Sequence, residues 1–241
     1  MCVNTTSLRA MPDLVREVRR RLAEAADPAR APGMQAYMKS AMPCYGVSAV
    51  PLRRICRSVY DAHPLGSRGE WEGVVRRMWD DATHREERYA ALALTRHRHY
   101  RGFQDPDTLP LYQHLVVTGA WWDLVDPVAA HNVGPVLVAF PAAVTPVVRG
   151  WASEDDLWVR RTALLCQLGR KADLDTVLLA AAIEENLEGT PYGREFFIRK
   201  AIGWALRQYA YTDPGWVRGF VAGHEDRLSG LSRREALRHV G

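Results

Sequence analysis

The chain has 241 residues, 47% of them hydrophobic and 25% charged, which suits a folded, soluble protein of one or two domains and excludes a disordered one. Its net charge of +4 is unevenly spread: residues 1–100 carry 17 basic and 11 acidic side chains, and residues 101–241 carry 15 and 17. Its longest apolar runs, such as residues 177–183, fall far short of the ~20 residues a membrane-spanning helix needs.

Met1-Cys2-Val3-Asn4 opens neither a signal nor a transit peptide, so a cytoplasmic protein is expected. The first helix is predicted over 12–26, with proline at a permitted first-turn position and Val15, Val18, Leu22 and Ala25 on one stripe. Further helices are predicted over 50–62, 70–79, 86–100, 107–117, 122–131, 155–168, 173–187, 194–211, 214–222 and 233–240. Breaks fall at Pro28, Pro32-Gly33, 63–66, 189–191 and 212–214. No period-two alternation is framed by hairpin turns, and the expected fold class is all-α, in one domain over 1–241.

A faint repeat runs through these helices. Arg88-Tyr89-Ala90-Ala91-Leu92, Arg161-Thr162-Ala163-Leu164 and Arg199-Lys200-Ala201-Ile202 resemble one another, and Ala163 and Ala201 are 38 residues apart. Ala91 and Ala163 are 72 apart, two periods of 36, with a missing copy centred near Pro127. A period of 36–38 filled by helix pairs implies a HEAT-like helical-repeat solenoid with a concave groove. In that register Trp122 and Trp158 are equivalent, as are Arg161 and Arg199, so Trp122, Asp126, Trp158 and Arg161 are expected along one surface.

The chemistry concentrates there. Trp122 and Asp126 are four residues apart and share a helix face. An indole beside a carboxylate suits a cation or a developing positive charge. Arg161, three residues after Trp158, repeats the pattern with the opposite sign and suits a phosphate. Arg160 and Arg161 point about 100° apart, so only one of them can face the groove. Asp126-Pro127 also reads as a helix N-cap and first-turn pair. The basic surplus, with Arg53, Arg54 and Arg57 close together, suits a polyanion, although arginine-rich helices also wear solvated charge.

Other chemistries find no support. Cys2, Cys44, Cys56 and Cys166 make no CxxC pair and no spaced Cys/His set. His97 and His99, two apart, are poorly spaced for ligands on one helix face and read as solvated surface. No phosphate loop, dinucleotide fingerprint, GxSxG or HExxH is present, and no cofactor is called for.

At these residues the chain resembles the AlkD-type DNA alkylation-repair glycosylases, a bacterial HEAT-like repeat family. The segments that carry the resemblance are Tyr37-Met38-Lys39, Gly46-Val47 with Arg53-Arg54, Trp121-Trp122-Asp123-Leu124-Val125-Asp126, Trp158 to Leu165, Glu195 to Trp204, and Ser232-Arg233-Arg234-Glu235-Ala236. The resemblance implies a monofunctional glycosylase that excises cationic alkylpurines such as 3-methyladenine and 7-methylguanine from duplex DNA, without a lyase step. It implies a catalytic set of Asp126, Trp122, Trp204 and Arg161, with DNA contacts from Lys39, Ser48, Arg53, Arg54, Trp158, Arg199 and Lys200. The expected partner is alkylated double-stranded DNA, bound by a monomer, with no metal and no membrane.

Trp121 is expected to pack between helices while Trp122 faces the groove, and Trp204 without the resemblance reads as a core residue. Trp71, Trp79, Trp151 and Trp216 read as packing. Arg199 and Lys200 fit phosphate contacts or solvated charge equally. One departure concerns the loop Gly46-Val47-Ser48-Ala49-Val50-Pro51, one residue longer than the family's Gly-Ile-Gln-Thr-Pro, with Ser48 near the glutamine position. That keeps open a glycosylase for bulky minor-groove adducts. The reading from a different class is a non-catalytic scaffold that binds DNA or protein.

Overall fold

The computed structural model describes residues 7–240, with side chains from residue 14 onward. Met1-Cys2-Val3-Asn4, on which the reading of the leader rests, lies outside the described residues, and the free cysteines among those described are Cys44, Cys56 and Cys166. Fourteen α-helices and no strand occur among the described residues, in an all-helical repeat fold. None of these helices is long and apolar enough to cross a membrane.

The helices divide between two compact units, Met1–Gln104 and Asp105–Gly241. The first holds α1 (Ser7–Glu24), α2 (Ala31–Met38), α3 (Ala49–Ala62), α4 (Arg68–Asp80) and α5 (Arg85–Thr95). Its α1 packs on α3, α4 and α5 around Leu14, Val18, Leu22, Val59, Trp71, Val74 and Trp79, all at most 1% exposed.

The second unit holds α6 (Leu109–Gly119), α7 (Trp122–Val128), α8 (Gly134–Ala139), α9 (Pro141–Ala152), α10 (Leu157–Leu165), α11 (Thr176–Glu184), α12 (Phe196–Ala210), α13 (Pro214–Gly223) and α14 (Gly230–Ala236). Here α7, α10, α12 and α14 pack side by side in succession, with α9, α11 and α13 against them. The side-chain ties between successive members have the repeat's own spacing. Asp126 binds Arg161 35 residues on, Arg161 reaches the Phe197 carbonyl 36 on, and Lys200 binds Glu235 35 on. In the first unit Arg21 reaches Ser58 and Asp61 reaches Arg98, each across 37 residues. The sequence period is therefore the separation at which equivalent helices touch.

Several boundaries differ from expectation. Helices α2 and α9 begin with Pro32 and Pro141 in first-turn positions where the missing N–H has no intrahelical acceptor, whereas Pro146 lies inside α9 and leaves the Ala142 carbonyl without its helical donor. Helix α5 stops at Thr95 rather than continuing to Tyr100: Arg96 Nε caps the Leu92 carbonyl, His97 is extended at φ −67° and ψ 140°, and a 3₁₀ turn follows over Arg98–Phe103. Asp126 caps no helix. Helix α7 begins at Trp122 and carries Pro127 inside it, so no N–H at residue 127 serves the Asp123 carbonyl. The ladder then widens into a π-helical turn over Ala129–Val133, a device common beside functional sites.

Candidate active site

Three elements of the second unit converge on Asp126. Trp121 is the extended residue that starts α7, and its carbonyl accepts from Leu124 N and Val125 N at 3.1 and 3.0 Å. Leu124, Val125 and Val128 face the core, which leaves Trp122 and Asp126, one turn apart, on the half-buried side. Gly134 fixes the far end of this segment. A Cβ there would lie 2.4 Å from the Cys166 carbonyl oxygen, so α8 can abut the end of α10 only without a side chain.

Helix α10 supplies the counter-charge. Its N-cap Asp156 accepts from Trp158 N at 2.8 Å and Val159 N at 2.9 Å, fixing the rotation of the helix. The two arginines then part company. Arg160 is buried and donates to the carbonyls of Glu154, Ser153 and Glu185, with its guanidinium 4.6 Å from the Tyr192 ring centre. Arg161 grips Asp126 with both forks, Nε to Oδ1 and Nη2 to Oδ2 at 2.7 Å each, while Nη1 donates to the Phe197 carbonyl at 2.5 Å. This corrects the phosphate clamp expected of Arg161: its nitrogens are committed within the protein and only 5% of its side chain is exposed. Its guanidinium holds the Asp126 carboxylate in place.

Asp126 itself retains 12% exposure, neither sealed nor freely solvated. Burial raises its pKa above the ordinary value of 3.8, the Arg161 hydrogen bonds and charge oppose that rise, and Asp123 adds to it. A carboxylate gripped by arginine usually titrates low; here desolvation wins.

Beside this pair stands a wall of rings. Trp121 and Trp158 have centroids 6.0 Å apart, Trp121 and Phe197 5.3 Å, and Trp158 and Phe197 5.0 Å. The Arg161 guanidinium lies 5.8 Å from the Phe197 ring centre. Trp121 thus packs as expected, and it meets Trp158, a register one residue off the predicted equivalence of Trp122 and Trp158. Trp121 Nε1 is buried without a hydrogen-bond partner. Phe197 lies in a segment that carries the family resemblance but was given no site role by sequence; the signal available was its position 36 residues after Arg161, one repeat on.

Helix α12 carries the remaining candidates. Trp204 is half-buried on it and is not one of the three clustered rings. Lys200 Nζ donates to Glu235 Oε1 at 3.0 Å, and Arg207 holds the other oxygen, so Lys200 is engaged with α14 although its side chain is 39% exposed. Lys200 is the main reason that the Glu235 pKa lies below the usual carboxylate range. Arg199, by contrast, makes no ion pair among the described residues, and its Nε is buried without an acceptor among them.

Lys39, Ser48, Arg53 and Arg54 belong to the first unit. Lys39 is exposed in a left-handed conformation at the end of α2, and Arg53 and Arg54 are exposed on α3. Ser48 starts α3 without using its hydroxyl as a cap. The loop ahead of it is held by Glu86, a fully buried residue that the sequence did not mark: its carboxylate accepts from Tyr45 N, Gly46 N and Val47 N at 2.9–3.0 Å.

The comparisons agree with one another. A family profile described as DNA alkylation repair enzyme matches residues 18–240. No curated protein matches the sequence. A solved structure, a predicted DNA alkylation repair enzyme from Enterococcus faecalis, is similar with a TM-score of 0.78 and 27% identity, over 90% of this chain and 97% of that one. With the profile covering nearly its whole length, the chain belongs to the DNA alkylation repair enzyme family.

Proposed function

We propose that this protein is a monofunctional DNA glycosylase that hydrolyses the N-glycosidic bond of cationic N3- and N7-alkylated purines, 3-methyladenine and 7-methylguanine among them, in duplex DNA. What carries this conclusion is the geometry at Asp126: a single carboxylate, gripped on both oxygens by Arg161 and still 12% exposed, on the same helix face as Trp122.

Alkylation at N3 or N7 gives the base a positive charge, so it departs without protonation. The sugar left behind passes through an oxocarbenium-like state, as in glycoside hydrolysis. An ionised Asp126 offsets that charge at C1′ and orients the attacking water. Burial makes the carboxylate a stronger acceptor, and Arg161 keeps it ionised. Trp122 and Trp204 offer indole faces to the sugar, each worth roughly 0.5–2 kcal/mol as a cation–π contact. Phosphate contacts fall to Arg199, Arg53, Arg54, Lys39, Ser48 and Lys200, with Trp158 stacked in the aromatic wall. The absence of a lyase step is in keeping with the scarcity of amine nucleophiles: the chain has three lysines, Lys39, Lys171 and Lys200, and Lys200 is held by Glu235. We further propose that the whole chain acts as one repair domain, a cytoplasmic monomer on duplex DNA.

The test is release of free base from methylated duplex DNA. Asp126→Asn is expected to bind DNA normally and to lose two to three orders of magnitude in rate, about 3–4 kcal/mol. A wild-type rate in that variant refutes the role of Asp126. One observation favours a second reading. An arginine–carboxylate fork between α7 and α10 is also how a purely structural tie is built, which suits a non-catalytic DNA- or protein-binding scaffold. No base release by the wild-type protein, from methylated DNA or from DNA with bulky N3-adenine adducts, decides for the scaffold.

A further inference from the structure

We propose that Asp61, His97 and His99 form a binding site for a transition-metal dication of the zinc type, clasping the end of α3 to the turn after α5. The site is independent of the chemistry at Asp126 and lies wholly within the first unit.

The early end of α5 creates it. On a continuous helix, residues two apart diverge by about 200°. Because His97 is extended and Arg98 begins a 3₁₀ turn, the two imidazoles instead meet, with ring centroids 4.6 Å apart and planes at 89°. Asp61, in the last turn of α3, points to both. Its Oδ1 is 3.1 Å from His97 Nε2 and 3.9 Å from His99 Nε2, and the three ligand atoms all lie within 4.8 Å of one another. Bonds of about 2.0 Å to a tetrahedral ion place its donors roughly 3.3 Å apart, so only His99 has far to move. His99 and Asp61 are 35% and 33% exposed, free to make that adjustment and open to solvent for the fourth ligand. His97 is 9% exposed and backed by the rings of Tyr60 and Tyr100, at 5.6 and 5.8 Å. Two neutral imidazoles and one carboxylate with an open position suit zinc and its neighbours, not calcium or magnesium.

Two features hold the affinity down. Arg98 Nη2 competes for Asp61 Oδ1 at 3.0 Å, although its side chain is 65% exposed and can swing away. His97 Nδ1 is buried without a partner, so the proton it carries when Nε2 binds metal finds no acceptor to orient the ring. A dissociation constant on the order of micromolar is expected, well short of a closed four-ligand site.

The experiment is calorimetric titration of untagged, metal-stripped protein with Zn²⁺, repeated with Co²⁺ and its visible absorption. Expected are one ion per chain, a Co²⁺ spectrum of nitrogen and oxygen ligands, and at least tenfold weaker binding by Asp61→Asn and by His99→Ala. Both replaced side chains are largely at the surface, and helical circular dichroism of the metal-free variants checks their folding. At a hundredfold excess over the dissociation constant the wild type should melt at least about 5 °C higher. Absence of stoichiometric binding, thiolate absorption from the cysteines, or undiminished affinity in both variants would overturn the proposal.

Discussion

Asp126 is pulled in two directions, by burial that favours its neutral form and by Arg161 that favours its charged form, and burial prevails. A folded-state pKa above the ordinary value makes this group's contribution to stability fall as pH rises from about 3.8 through the folded value. Above that pH window the fold thus gives up stability to hold this carboxyl group in a half-dry place. If the ionised form does the chemistry, the rate declines on the acid side through that raised pKa. Arg161→Gln keeps a donor for the Phe197 carbonyl but removes the charge and the fork. The acid limb of single-turnover base release should then move further up in pH, with activity lost at neutrality and partly recovered in alkali. An acid limb that stays in place would show that Arg161 does not set the ionisation of Asp126. The sequence displayed both residues but not their pairing: helical spacing tells which side chains share a face, not which face of a neighbouring helix they meet. The contact of Trp121 and Phe197 was hidden for the same reason: both lie in segments that carry the family resemblance, but spacing does not show that the two rings meet.

At the scale of elements, the two neighbouring arginines of α10 serve different partners, Arg161 the Asp126 carboxylate and Arg160 the backbone. Arg160 satisfies three carbonyls of the chain around the ends of α9 and α11, and Arg160→Met would leave them short of donors. A loss of about 3 kcal/mol is expected, read as a lower urea midpoint, with the Asp126 chemistry intact above the transition. Helix α12 meets α14 through Gly203, where an added Cβ would lie 2.6 Å from Glu235 Cβ and 3.2 Å from the Ser232 carbonyl oxygen. Gly203→Ala therefore forces the two helices apart and strains the Lys200–Glu235 tie. A destabilisation of about 1–3 kcal/mol, measured by the same denaturation, is the expected outcome. Alanine's better helix propensity, about 1 kcal/mol, would leave the variant unchanged or more stable if the approach were slack. Most helices were legible because their apolar stripes are long. Those missed are α2, α8 and α9: Pro32-Gly33 in α2 read as a break, since propensity does not show that a first-turn proline costs no hydrogen bond, and the stretch holding α8 and α9, with Pro135, Pro141 and Pro146, showed no helical pattern. The overrun of α5 has the converse cause: residues 96–100 continue the helical pattern, and only the cap by Arg96 and the packing of His97 on Tyr60 end it.

Across the whole molecule, charge divides into committed and uncommitted cations, a division invisible to a net charge of +4. In the second unit Arg160, Arg161, Lys200 and Arg207 are all tied to protein acceptors, whereas Arg199 has no ion-pair partner; in the first unit Arg53 and Arg54 are exposed and unpaired. Only uncommitted cations can release counterions from DNA without first breaking a bond in the protein. The logarithm of the binding constant should fall linearly with that of salt, and each phosphate contact removed should flatten the slope by about one. Arg199→Ala is therefore expected to flatten it by about one, and Arg53→Ala with Arg54→Ala by about two. Lys200→Ala should change it by much less, because the ammonium must leave Glu235 before it can serve a phosphate. These slopes are measured by fluorescence anisotropy with an unmodified duplex, so they depend on backbone contacts alone and not on base release. Equal slopes for Arg199→Ala and wild type would remove Arg199 from the interface, and a full unit lost in Lys200→Ala would show that DNA breaks the Glu235 pair on binding.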